Sequence, residues 1–208
     1  MQEVPPFLGM RAFITPTRLP SIIYKAKIET REVLRSWGLS RLLVVGNHIR
    51  KVQFHWESLG ALIELWHPQT HTFVFPSFEA TILLEEVEIL LGLKSSTDHD
   101  IACPLGDFPI SEVLGEFMSE REIRNVATPN GMDLCRFSNW LVDDSDLGPL
   151  AYAKCLSICL VGSLLFPSSM SFLHRSHLIL IREIWNGRSI SQAVLAFLYS
   201  GLTAASTG

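Results

Sequence analysis

The spacing of apolar residues predicts helices along most of the chain, with one clear interruption. In WESLGALIELW, Leu59, Leu62, Ile63 and Trp66 recur at helical spacing. Pro68 disfavours the α conformation at His67, so this helix is expected to stop near Trp66. Residues 71–82 alternate instead. A tight turn at Pro76-Ser77 pairs Phe75 with Phe78 and sets Phe73 opposite Ala80 and His71 opposite Ile82. One face then holds His71, Phe73, Phe75, Phe78, Ala80 and Ile82, and the other Thr72, Val74, Glu79 and Thr81. Pro76 cannot take the positive φ of the favoured two-residue turns, so a wider loop is expected.

Helical spacing resumes in LLEEVEILLGL, with Leu83, Leu84, Val87, Leu90 and Leu91 as its stripe and Gly92 as the terminating residue. Upstream, Thr30 is expected to cap a helix over 31–37 ended by Gly38, and Ser40 a shorter one, RLLVV, ended by Gly46. Downstream, 111–117 and SEREIRNV read as helices. Ser119 with Glu122 gives the second a capping box. ATPNGMD, 127–133, is a break and the best internal linker candidate. FSNWLV, a long helix from Pro149 to Phe166, FLHRSHLILIREIW and SISQAVLAFLYSGL follow. The expected fold is mainly α, a helical domain with one small antiparallel β-hairpin near residues 71–82. Residues 1–20, with Pro5, Pro6, Pro16 and Pro20, read as an extended arm. Residues 21–126 form an N-terminal helical part with the hairpin, and 134–208 a C-terminal helical part of the same domain.

Composition sharpens this reading. The 208 residues are 48% hydrophobic and 18% charged, enough apolar material for a sizeable core. The net charge of −4 and the lack of any Lys/Arg run argue against a nucleic-acid interface, which needs a basic stripe. The start, MQEVPPFLGM, has no basic segment followed by an apolar one, so Cys103, Cys135, Cys155 and Cys159 are read as reduced thiols. The longest apolar run, CLSICLVGSLLF, falls short of the roughly 20 residues a membrane span needs and reads as a buried helix.

The residues with chemistry do not assemble into a known site. His67 and His71 lie four apart, like the ligands of a helical His-Glu-x-x-His metal site, but Pro68 replaces the base and breaks the helix. Cys155, Cys159, His174 and His177 mimic a Cys2His2 zinc set. However, the cysteines sit in the most apolar helix and the histidine spacing is too short. None of Lys25, Lys27, Lys51, Lys94 and Lys154 lies beside a Gly-rich phosphate loop, which a pyridoxal-phosphate enzyme would need. No G-x-S-x-G elbow occurs. Asp143, Asp144 and Asp146 read as a solvated turn, because the loop lacks EF-hand spacing. Trp56, Trp66, Phe73, Phe75 and Phe78 make either a binding surface or core. No catalytic, cofactor or metal residues are assigned.

One stretch is familiar. ALIELWHPQTHTFVFPSFEATILLEEVEILLGL, 61–93, resembles the plant mobile domain, whose members read Ala-Leu-x-Glu-x-Trp, x-Pro-x-Thr-His-Thr-Phe, a short strand, and a helix ending Leu-Leu-Gly-Leu. The signature positions include Trp66, Pro68, His71, Phe73, Glu79, Leu91 and Gly92. A second, looser block holds Leu164-Leu165-Phe166-Pro167 and 193–199. The 61–93 stretch is also similar to a related plant domain of unknown function.

Two departures stand out. Leu83 occupies a position where members carry a capping Thr or Ser, a loss of about 1 kcal/mol. Members also continue past the equivalent of Leu202, so the chain reads as a truncated copy. The resemblance implies a transposon-derived, "aminotransferase-like" domain without transferable catalytic residues, found in nuclear proteins of transposon silencing and meristem maintenance. It further implies a protein partner, a phosphoprotein phosphatase among the candidates. An inherited nucleic-acid-binding role and a copy without function are the alternatives. Oligomeric state is open.

Overall fold

An all-round apolar helix can only be stable when covered on every side, and α9 (Pro149–Leu160) is such a helix. Cys155, Leu156, Ile158, Cys159 and Leu160 are all fully buried. The computed structural model describes residues 18–53, 55–97, 100, 106–143, 147–168 and 171–207. Helix α9 runs on into one π turn, Val161–Leu165, so the long helix expected over 149–166 forms with a local change of winding. Gly162 permits the close approach there. A Cβ on it would lie 2.8 Å from Leu134 Cδ1.

Three short helices cover one side: α1 (Leu19–Lys25), α2 (Ile28–Ser36) and α3 (Ser40–His48). The expectations for this region need correction. Leu19 and Pro20 begin α1 rather than ending an arm; the rest of the expected arm, 1–17, lies outside the described residues. Thr30 does not cap α2. It is buried within the helix, and its hydroxyl donates to Pro149 O at 3.2 Å, so a tertiary bond wins over the local cap. Ser40 makes no side-chain cap either. Helix α3 also runs through Gly46, because Gly46 serves packing: a Cβ there would lie 2.8 Å from Ile23 Cδ1. Gly38 does end α2, at φ +79°. The Arg31 guanidinium donates to Ala26 O and Ile23 O, adding side-chain donors to carbonyls at the C-terminal end of α1.

Helix α4 (Trp56–Glu64) leads into a sheet of β1 (Trp66–His67), β2 (Thr72–Val74) and β3 (Glu79–Ala80), in that order and antiparallel. The hairpin register is the expected one: Phe73 pairs with Ala80, Val74 with Glu79, and the Phe75 N–H donates to Phe78 O at 2.9 Å. Two points differ. Trp66 belongs to a third strand, pairing with Phe73, and not to a helix end. His71 sits outside the strand at φ +54°, closing the turn between β1 and β2.

Helix α5 (Leu84–Leu91) follows and ends at Gly92, φ +67°. The Leu83 side chain cannot cap it, but half of a capping box survives, since the Leu83 N–H donates to Glu86 Oε2 at 2.9 Å. The expected stripe is only partly buried: Val87 is covered, whereas Leu90 is 73% exposed.

Next come α6 (Ile110–Leu114) and α7 (Glu120–Val126), the latter with both halves of the Ser119–Glu122 capping box. Residues 127–133, read as a break and linker, instead build a second sheet. Its strands β4 (Ala127–Thr128), β5 (Gly131–Asp133) and β6 (Phe172–His174) are antiparallel, with β5 central. Met132 in this sheet is fully buried. Helices α8 (Leu134–Asp143), α10 (Leu178–Trp185) and α11 (Ser191–Thr207) complete a mainly helical architecture with two small sheets.

Candidate functional site

The seven signature residues are drawn together by the first sheet, α5 and α11. Trp66 is buried and its indole N–H donates to Thr203 Oγ1 at 3.2 Å, which ties β1 to the last helix. Phe73 meets the Trp66 ring edge-on at 5.0 Å between centroids. His71 stacks between Trp66, at 6.0 Å, and Tyr199 of α11, at 4.8 Å. Its left-handed backbone is held because the Thr81 hydroxyl donates to His71 O at 2.6 Å. The Tyr199 hydroxyl donates to Ile82 O at 2.5 Å. Pro68 occupies the turn that reverses β1 into β2, where no helical backbone is needed. Glu79 accepts from the Thr72 hydroxyl across the strands at 3.3 Å. Leu91 packs against the core. Gly92 leaves room for Arg41, whose guanidinium donates to Ile89 O; a Cβ at Gly92 would lie 2.7 Å from the Arg41 side chain.

A polar seam closes the same unit from the other side. Glu88 Oε1 accepts the Ser96 N–H at 2.6 Å and the Ser191 hydroxyl at 2.9 Å. Ser189 donates to Lys94 O at 2.6 Å, and Lys94 Nζ donates to Gly187 O at 3.0 Å. These bonds fasten the start of α11 to the segment after α5. Sequence spacing gave no signal for Glu88, Ser191 or Thr203; Tyr199 lay in the looser second block, without a known partner.

The candidates weighed for chemistry are kept apart. His67 Nδ1 lies 3.1 Å from Thr70 Oγ1, whereas His71 faces the aromatic rings. Cys155 and Cys159 are fully buried in α9, and burial pushes the Cys159 thiol far up, away from the thiolate a metal or nucleophile requires. His177 stacks on Phe166 at 4.5 Å and meets Phe197 edge-on at 5.6 Å. Burial and, secondarily, the neighbouring His174 hold its pKa down at about 4. His174 Nδ1 accepts the Ser176 N–H at 3.2 Å. Among the described residues no group of three or more His, Cys, Asp or Glu side chains could hold a metal.

Of the lysines, Lys25 donates to Val142 O at 2.5 Å. Lys154 pairs with Glu116 at 2.6 Å and lies over the Trp185 ring at 5.0 Å. Asp143 ends α8, while Asp144 and Asp146, like Cys103, lie outside the described residues. No helix among the described residues is long and apolar enough to cross a membrane.

The aromatic residues divide. Trp66 is core, whereas Phe78 is 57% exposed at the hairpin tip, its ring stacked on Phe75 at 4.5 Å and 15°. Trp56 is also exposed, on α4.

The model of one family, the plant mobile domain, matches residues 45–208. Among curated proteins of Arabidopsis thaliana, the chain is 26% identical to Protein MAINTENANCE OF MERISTEMS over 203 residues, covering 82% of this chain and 39% of that protein. It is 34% identical to Protein MAIN-LIKE 1 over 62 residues, 30% of this chain and 12% of that protein. A 43-residue stretch, 21% of this chain and 3% of the relative, is 46% identical to a serine/threonine-protein phosphatase 7 long form homolog. The chain therefore spans well under half the length of these relatives. No solved structure matches.

Proposed function

Since the chain belongs to the plant mobile domain family, we propose that it is a non-catalytic protein-interaction module of transposon origin, working in the plant nucleus. The observation that carries this reading is the division of labour in the signature unit. Trp66 and Phe73 are spent on internal packing and His71 on stacking against Tyr199, while the sheet they build ends in Phe78, 57% exposed and stacked on a half-buried Phe75. Aromatic side chains exposed on a rigid element are the kind of anchor that interfaces use. The likeness to meristem-maintenance proteins supports a role in that setting. The local likeness to a phosphatase homolog makes a phosphoprotein phosphatase the first partner to try.

The test is affinity purification of the full chain from plant nuclei beside a Phe78→Glu variant. The expected result is a discrete partner, a phosphatase or another nuclear protein, held by the parent and lost by the variant. Equal recovery by both, or nothing above background from either, would sink the reading. Specific DNA or RNA binding at about 0.15 M salt would replace it with a nucleic-acid role.

A further inference from the structure

Helices α3 and α5 turn apolar residues outward where an amphipathic helix carries polar ones. On α3 the outward face is Arg41, Val44, Val45 and His48, related by i, i+3, i+4 and i+7 spacing. Val44 is 62% exposed and Val45 39%. On α5 it is Glu85, Glu86, Ile89 and Leu90, with Ile89 at 66% and Leu90 at 73%. Their buried faces are already committed, through Leu42, Leu43 and Gly46 on α3 and Val87 on α5. The two helices are joined directly, because the Arg41 guanidinium reaches across Gly92 to donate to Ile89 O. The two helices are thus tied to each other at this hydrogen bond.

From this we propose that the α3–α5 face is a two-fold interface between copies of this chain. The occupant follows from the charges that flank the apolar residues. Of the charged side chains, the α3 face carries Arg41, and the α5 face Glu85 and Glu86. An acidic partner helix would suit α3 and be repelled by α5; a basic one would do the reverse. A second copy related by a two-fold axis presents α5 to α3 and α3 to α5, so both charge pairings are satisfied at once around four apolar side chains from each copy. Such a contact also removes apolar surface that an isolated monomer would leave in water.

This inference stands apart from the hairpin-tip reading, since Phe78 lies on another element. The experiment is sedimentation equilibrium of the purified full chain over a concentration series, beside Leu90→Lys, Val45→Lys and Glu85→Lys. The parent is expected to sediment at twice the monomer mass at micromolar concentration. The two lysine substitutions at apolar sites should weaken association by at least about tenfold. Glu85→Lys should weaken it less, and more visibly at low salt. All three should keep the parent's helical circular dichroism, because the substituted side chains already face solvent in the monomer. A parent that stays monomeric at about 100 µM, a protein-level concentration well above standard dimer affinities, overturns the proposal. So does a dimer that the folded Leu90→Lys and Val45→Lys variants form as tightly as the parent. Nuclear partner capture through Phe78 would survive either outcome.

Discussion

The His71 ring lies 4.8 Å from the Tyr199 ring and within 17° of parallel, joining a turn of the first sheet to the last helix. Tyr199 also donates to Ile82 O, so one residue of α11 holds both the entrance and the exit of the hairpin. Tyr199→Phe removes only the hydroxyl and should cost about 1 kcal/mol. Tyr199→Ala also removes the stacking partner of His71 and Trp66 and should cost about 3 kcal/mol. Urea unfolding of the two variants against the parent checks the order and the gap.

Two glycines are expected to differ sharply in tolerance. A Cβ on Gly131 would lie 2.0 Å from Leu173 O, backbone against backbone, so nothing can yield without parting β5 from β6. Gly131→Ala should cost at least about 3 kcal/mol, in the range of severe core lesions. At Gly92 the obstacle is the flexible Arg41 side chain, though the residue needs φ +67°. Gly92→Ala should cost about 1–2 kcal/mol. Thermal melts of both variants decide the ranking.

Stability should fall on mild acidification because of His177. Its pKa is held at about 4 in the folded chain against 6.5 for the free side chain, so the unfolded state binds the proton more readily. The contribution is fully present above pH 6.5 and is lost as pH falls from there toward about 4. Within that window the slope due to this one group is at most about 1.4 kcal/mol per pH unit. His177→Gln should flatten the profile between pH 5 and 6.5 relative to the parent, by urea titration at several pH values. Parallel profiles would remove His177 as the cause.

Thiol labelling should separate the cysteines of α9 from the rest. Cys155 and Cys159 are fully buried, and burial keeps the Cys159 thiol protonated. Both should resist alkylation at pH 8 in the native protein and react on unfolding, read by peptide mass mapping. Fast labelling of either in the native state would contradict the packing of α9.

The hairpin register could be read from sequence because alternation fixes which side chains share a face, and Phe73, Phe75, Phe78 and Ala80 admit one pairing. The capping box at Ser119 was legible for the same local reason. Trp66 was not, since it fits the end of a helical stripe as well as a strand, and only pairing with Phe73 decides. The second sheet was hidden because its strands are two or three residues long and β6 comes from far along the chain. Thr30 and Gly46 look like a cap and a stop, and distant neighbours, Pro149 and Ile23, turn both into packing residues. Of the signature unit, the named residues were readable, but the contacts that Tyr199 and Thr203 make with His71 and Trp66 were not, since they join distant parts of the chain.

The family match begins at residue 45, in the middle of α3. The core does not respect that line. Leu19, Ile22, Leu34, Leu39 and Leu42 are essentially without solvent contact, and Tyr152 of α9 donates to Ile22 O at 2.8 Å. A segment excised at the similarity boundary would carry half of a helix and leave α9 with one wall missing. What is recognisable as a family unit and what folds as one are, in this chain, different lengths of polypeptide.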